Sequence, residues 1–180
     1  MSARTVRYAL QALAVGAVAA LLSLLVWRLV NDPGGGVAAA LTRGERPTAP
    51  NFTLRRLDGH GELSLASFDG KPRVLDFFAS WCVACPYESK RIERAVRRYG
   101  DRIAFIGVDT KDFSGDALRY VRRYHLSYPI VHDGDGSVLA KWGGIPIPRI
   151  FFIDKRGTVI GQMVSEEDLP RFLEKLAASA

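Results

Sequence analysis

Cys82 and Cys85 are the only cysteines in the 180-residue chain, and two small apolar residues, Val83 and Ala84, separate them. A thiolate is the nucleophile of thiol–disulfide exchange, and two thiols at this spacing can close into a disulfide and reopen. The pair therefore reads as a working dithiol and not as a structural staple. Upstream, Arg73 to Phe78 (Arg-Val-Leu-Asp-Phe-Phe) follows Gly70-Lys71-Pro72 and predicts a short buried strand. From Pro86 onward, Ile92, Ala95, Val96 and Tyr99 recur at helical spacing among Arg and Glu. A strand running into a tight turn thus sets an exposed Cys82 at the start of a helix. The first N–H groups of a helix lack intrahelical partners, and its dipole puts partial positive charge there. A thiolate is stabilised at that position, so the Cys82 pKa is expected below that of a free thiol. Cys85 lies one turn on, on the same side and more buried. Pro86 is tolerated because first-turn N–H groups are orphans in any case.

The elements that must hold this dithiol extend over most of the chain. A composition of 48% hydrophobic and 24% charged residues is that of a globular protein, with length for one ordinary domain plus an extra segment. The net charge of +6 comes with no basic–aromatic interleaving and no nucleic-acid motif, so it reads as a solvated basic face. The extra segment is N-terminal. Arg4 and Arg7 precede an apolar, acid-free stretch over 8–30, about the 20 residues that a bilayer span requires. Trp27 and Arg28 suit an interface. The expected layout is a cytoplasmic N-terminus over 1–7, a transmembrane signal-anchor over 8–30, a flexible linker over 31–49 and an extracytoplasmic domain over 50–180. A cleaved signal peptide is the competing reading, with Ala38-Ala39-Ala40 as its site. Either way the domain sits where disulfides are permitted.

Within the domain, Phe52–Leu57 and Glu62–Leu65 predict a hairpin about Asp58-Gly59-His60-Gly61. Ile103–Val108 reads as a second buried strand, Asp112–His125 as an amphipathic helix and Pro129–Val131 as a short edge. Ser137 is expected to cap a helix through Trp142. Ile150–Ile153 and Thr158–Met163 read as strands, and Glu166–Ala177 as a closing helix with Leu169, Phe172, Leu173 and Leu176 inward. Strands alternating with helices and then a hairpin indicate an α/β fold, a central mixed β-sheet flanked by helices.

Two stretches resemble a known family. Asp76-Phe77-Phe78-Ala79-Ser80-Trp81-Cys82-Val83-Ala84-Cys85 is similar to the thioredoxin active-site segment. Ile147-Pro148-Arg149-Ile150-Phe151-Phe152-Ile153-Asp154 is similar to the second thioredoxin signature, a cis proline before a strand. The anchor, the Pro50–Leu54 entry, the Asp112–Trp142 region and Glu88 resemble the membrane-anchored TlpA/ResA/CcmG (DsbE) branch of thioredoxin-like thiol-disulfide oxidoreductases. The resemblance covers roughly residues 45–177. The chain departs from the branch at Lys90, where Pro is common, at Asp76, where Asn is common, and at Pro146-Ile147 before Pro148. Arg149 stands where the cytochrome-maturation subgroup carries an acid.

The resemblance implies a thioredoxin-like fold and a disulfide oxidoreductase needing no cofactor. Cys82 would attack a client disulfide and Cys85 would resolve the mixed disulfide, with buried Asp76 accepting the Cys85 proton through a water. Pro148 and Ile147 would offer backbone to an extended client beside the dithiol, and Trp81 would shield it. Val83-Ala84, with no charge, His or Pro, does not distinguish a reductant from an oxidant. The branch points to a reductant, fed by a membrane thiol reductase and serving client proteins, in cytochrome c maturation among other roles. The alternatives are an oxidant or isomerase for secreted proteins, a thiol peroxidase and a non-catalytic binding module. A peroxidase requires a Pro-x-x-x-Thr-x-x-Cys surround that is absent before Cys82. His60, His125 and His132 are scattered and form no zinc set with one C-x-x-C. Asp133-Gly134-Asp135-Gly136 reads as a turn, Glu88 as tuning Cys82 or favouring the helix start, and Lys90, Arg91 and Arg94 as a solvated helix face.

Overall fold

The computed structural model describes residues 3–31 and 36–180, the side chains of the first stretch being described at 7, 8 and 11–27. The chain divides into two compact units, Met1–Gly34 and Gly35–Ala180. The first holds one helix, α1 (Ala3–Asn31), whose described apolar side chains, among them Leu13, Val18, Leu22 and Trp27, are exposed. Among the described residues no helix is long and apolar enough to cross a membrane. The expected span of 8–30 is thus not supported. Residues 9, 10 and 28–30 have side chains outside the described set, and residues 32–35 of the expected linker lie outside the described residues altogether.

The second unit begins well before residue 50. Helix α2 (Gly36–Thr42) buries Val37, Ala38 and Ala40. Its first residue, Gly36, has φ +51°, and a Cβ there would meet the Lys141 carbonyl oxygen at 2.1 Å, so only glycine permits this approach. Farther on, Val159 N–H donates to the Pro47 carbonyl at 2.8 Å and Ala49 N–H to that of Gly157 at 2.8 Å. Residues 36–49 are therefore packed structure and not a flexible linker. A short Ala-rich segment carries no helical stripe, and tertiary burial supplies the stability that its length cannot.

A two-stranded hairpin, β1 (Thr53–Arg55) and β2 (Glu62–Ser64), leads into a 3₁₀ turn over Leu65–Phe68. Then comes the central sheet, with strand order β5-β4-β3-β6-β7. β3 (Arg73–Phe78) lies at its centre and every one of its residues is buried. It pairs in parallel with β4 (Ala104–Thr110) and antiparallel with β6 (Arg149–Ile153). β4 pairs in parallel with β5 (Ile130–Asp133), and β6 antiparallel with β7 (Val159–Gln162). Helix α3 (Cys85–Tyr99) links β3 to β4, α4 (Ser114–Tyr124) links β4 to β5, α5 (Ser137–Trp142) precedes β6, and α6 (Asp168–Ala178) closes the chain. The mixed sheet expected from the sequence is present, with boundaries within two residues for most elements. α5 departs in its cap. Asp133 and not Ser137 serves it, its carboxylate accepting from Val138 N–H at 3.1 Å and Leu139 N–H at 2.9 Å.

Alternation along β3 assigns the two faces. Leu75 and Phe77 join Val37, Leu139, Trp142 and Phe151 in one apolar layer. Val74 and Phe78 join Cys82, Cys85, Ile92, Tyr120, Tyr128, Phe152 and Leu173 in the other. Asp76, between Val74 and Phe78, faces the layer that holds both cysteines.

Candidate active site

Cys82 and Cys85 are joined in a disulfide, their Cα atoms 5.4 Å apart. The helix begins at Cys85 and not at Cys82, with Pro86 in its first turn. The Cys85 N–H donates to Cys82 Sγ at 3.2 Å, so the helix N-terminus still bears on the Cys82 sulfur. Cys82 is 6% exposed and Cys85 1%. The expected order of burial holds, but Cys82 is itself largely covered. Its Sγ lies 3.7 Å from the Ile147 carbonyl oxygen, so the loop before β6 closes over it.

That loop is braced from below. The peptide bonds Ile147–Pro148 and Ile145–Pro146 are both cis. The Arg149 guanidinium folds back on it, its Nε donating to the Pro146 carbonyl at 3.0 Å, while burial lowers its pKa. The segment before Cys82 is held by the two residues that follow β4. Ser80 N–H and Oγ donate to the Asp112 carboxylate at 2.6 and 3.0 Å. Trp81 Nε1 donates to the Lys111 carbonyl at 2.9 Å, and the Trp81 ring is 53% exposed, which excludes plain core packing. The sequence points to Trp81 but not to Asp112, whose place before a helix suggests only a cap. Asp112 does accept from Phe113 N–H at 2.7 Å, yet its main partner is Ser80, 32 residues away.

Asp76 is buried on the dithiol side of β3. Its Oδ2 accepts from Tyr128 Oη at 3.0 Å, and its Oδ1 has no partner. Burial pushes its pKa up to about 7, the Tyr128 hydrogen bond pulls it down and the charge of Glu88 adds to the rise. A carboxyl group near 7 exchanges a proton at neutral pH, as a general base requires. A second buried acid, Asp109, accepts or shares a hydrogen bond with His132 Nδ1 at 2.7 Å. Burial foremost, then the neighbouring Asp112 and Asp133, push its pKa up to about 8. Neither Asp109 nor Tyr128 stands out in the sequence, because each lies in an otherwise ordinary strand or strand entry.

Glu88 pairs with Arg91 at 3.3 Å, and Arg91 also donates to the Glu166 carbonyl at 2.6 Å. Arg91 is therefore largely buried and not part of a solvated face, whereas Lys90 and Arg94 are exposed. His60 and His125 lie apart from the dithiol in the fold, His125 closing α4 with φ +53°. Among the described residues no group of three or more His, Cys, Asp or Glu is placed to hold a metal ion.

Comparison with known proteins places this geometry. Residues 46–162 match the model of the AhpC/TSA family. The chain is 31% identical over 132 residues to the thiol-disulfide oxidoreductase ResA of Bacillus thuringiensis subsp. konkukian, covering 71% of this chain and 76% of the relative. It is 28% identical over 130 residues to the thiol:disulfide interchange protein DsbE of Pseudomonas fluorescens, covering 72% and 71%. The structure of Mycobacterium tuberculosis DsbF, in mixed oxidized and reduced forms, superposes with a TM-score of 0.65 at 30% identity, covering 72% of this chain and 99% of that one. The chain belongs to the AhpC/TSA family, in its thioredoxin-like form. It is an enzyme, a thiol-disulfide oxidoreductase of the ResA/DsbE type.

Proposed function

We propose that this protein reduces disulfides of extracytoplasmic client proteins and that Asp76 is the base of its resolving step. The observation that carries this reading is the half-satisfied carboxyl group of Asp76, buried on the face that holds Cys82 and Cys85. In the reduced enzyme the Cys82 thiolate, stabilised by the helix N-terminus, attacks one sulfur of a client disulfide. The client's other sulfur leaves as thiolate. Asp76 accepts the Cys85 proton, and the Cys85 thiolate attacks Cys82 Sγ. The client's second sulfur then leaves, the Cys82–Cys85 disulfide forms, and two electrons have passed to the client.

Clients would dock on the rim. The large apolar side chains exposed on the folded unit, among the described residues, are Trp81, Val83, Tyr87, Phe113, Ile145 and Val164. Three belong to the dithiol segment, Phe113 follows Asp112, and Ile145 belongs to the Pro146–Pro148 loop. Val164 adjoins Glu166, which accepts from Tyr87 Oη at 3.2 Å. Such a rim suits a client with an apolar segment in extended form, laid against the Ile147 backbone beside Pro148.

The membrane tether is part of the same proposal and rests on the sequence: Arg4 and Arg7 before the acid-free apolar run of 8–30. It would hold the domain outside the cytoplasm, where a membrane thiol reductase returns the electrons.

Insulin reduction tests the chemistry. Cys82→Ser abolishes turnover, and turnover that survives this change overturns the nucleophile assignment. The potential of the Cys82–Cys85 pair tests the direction: about −250 mV or lower fits a reductant, and about −120 to −180 mV makes the protein an oxidant or isomerase. An oxidised peptide bearing C-x-x-C-H, the haem-attachment signature, tests the cytochrome c branch, against which Arg149 stands.

A further inference from the structure

We infer that Tyr128 is a positioning residue for this chemistry: its hydroxyl orients the Asp76 carboxylate and sets the pH range in which that group works as a base. The inference rests on the proposed role of Asp76. Tyr128 lies just before β5, two strands from β3, yet its hydroxyl reaches Asp76 Oδ2 at 3.0 Å. Gly107 opens the way. It is the register partner of Asp76 on β4, and a Cβ there would meet Tyr128 Cε2 and Ile130 Cγ1 at 3.0 Å. The Tyr128 ring thus crosses β4 over a position that has no side chain.

The mount of the ring is as specific. Glu93, buried on α3, accepts from Ser127 N–H at 3.0 Å and from Ser127 Oγ at 2.9 Å, which fixes the backbone next to Tyr128. The other buried phenol nearby, Tyr120 on α4, is committed to Ser89 Oγ at 2.8 Å. Tyr128 is consequently the sole hydrogen-bond partner of Asp76 among the described residues. The groups that bear on Asp76 are Tyr128, Glu88 from α3 and the Tyr120 phenol, with Cys85 on the same face and Glu93 acting on Tyr128. No cation is among them. A neutral donor is therefore what stabilises the charged carboxylate, and burial holds the phenol in its protonated form, able to donate throughout the working range.

Removing the donor raises the Asp76 pKa and moves the rising limb of the resolving step to higher pH. The full-length reduced protein is mixed with excess Ellman's reagent in stopped flow. The first release of thionitrobenzoate reports attack by Cys82, and the second, unimolecular release reports attack by Cys85. For Tyr128→Phe, the limb of the second phase is expected to shift up by about one pH unit, with a roughly fivefold slower rate at pH 7. The two rates converge at pH 9.5, and the first phase is unchanged. The protein with 3-fluorotyrosine at position 128, a stronger donor of nearly the same size, shifts the limb the opposite way. A limb that coincides with wild type in either protein overturns the role of Tyr128. If Tyr128→Phe does not fold, the fluorinated protein decides alone. Asp76→Asn separates the two readings. Loss of the limb in that variant keeps Asp76 as base whatever Tyr128 does, and a limb that persists overturns both.

Discussion

Asp76 and Asp109 lie on adjacent parallel strands and point to the same side of the sheet, in register with Gly107 and Phe78 respectively. Burial raises both, to about 7 and about 8. Their surroundings differ. Among the described residues each keeps one carboxylate oxygen without a partner, but Asp76 has one neutral donor and a disulfide in its apolar layer. Asp109 has an imidazole, two further carboxylates and, through Asp112, a link to the Ser80 turn. Desolvation alone does not make a buried acid a catalyst. In the proposed mechanism the Asp76 proton passes to and from the Cys85 thiol. The Asp109 proton is shared within a cluster that anchors the loop before Cys82.

The contrast predicts different losses. Asp76→Asn slows the resolving step by about 100-fold at pH 8, the lower range for general base catalysis. The same change stabilises the fold at that pH. Raised from 3.8 to about 7, Asp76 costs nothing below pH 4 and destabilises increasingly as pH climbs to 7, by up to about 4 kcal/mol. Urea denaturation of Asp76→Asn at pH 4 and pH 8 reads this directly, and equal stability gains at both pH values would break the argument. Asp112→Ala removes a carboxylate that receives Ser80 N–H, Ser80 Oγ and Phe113 N–H. It is expected to cost about 2–3 kcal/mol, seen as a melting temperature lower by roughly 5–10 °C. Asp109→Asn has the smallest effect on turnover, which stays within about twofold of wild type. Its stability gain at pH 9 is at least as large as that of Asp76→Asn at pH 8, up to about 5 kcal/mol, and vanishes at pH 4, because this acid is raised further. A resolving step as slow in Asp109→Asn as in Asp76→Asn would erase the distinction between the two acids.

Much of the fold was legible in the chain. The buried strand at Arg73–Phe78, the helix that follows it and the closing helix each carry a hydrophobic period that local sequence fixes. Cys82 and Cys85 declare themselves by type and spacing, whereas the family resemblance singles out Asp76 in the strand before them. Two readings failed where the determining partner is remote. α2 is too short to carry a period, and its burial depends on α5, about 100 residues away. Cys82 reads as exposed because the loop that covers it, at Ile147, lies 65 residues downstream.

By itself, then, the sequence determined the dithiol, the strand–turn–helix that bears it and the α/β class, since all three rest on residue type and local period. Only the tertiary structure decided which acids share a face with the cysteines and which donors meet them. The Tyr128 hydroxyl reaches Asp76 across 52 residues, and Asp112 reaches Ser80 across 32. No local period encodes such meetings. They exist because β4 inserts between β3 and β5 with a glycine at the crossing point, and because a buried polar group must find its partner wherever the packed chain brings one.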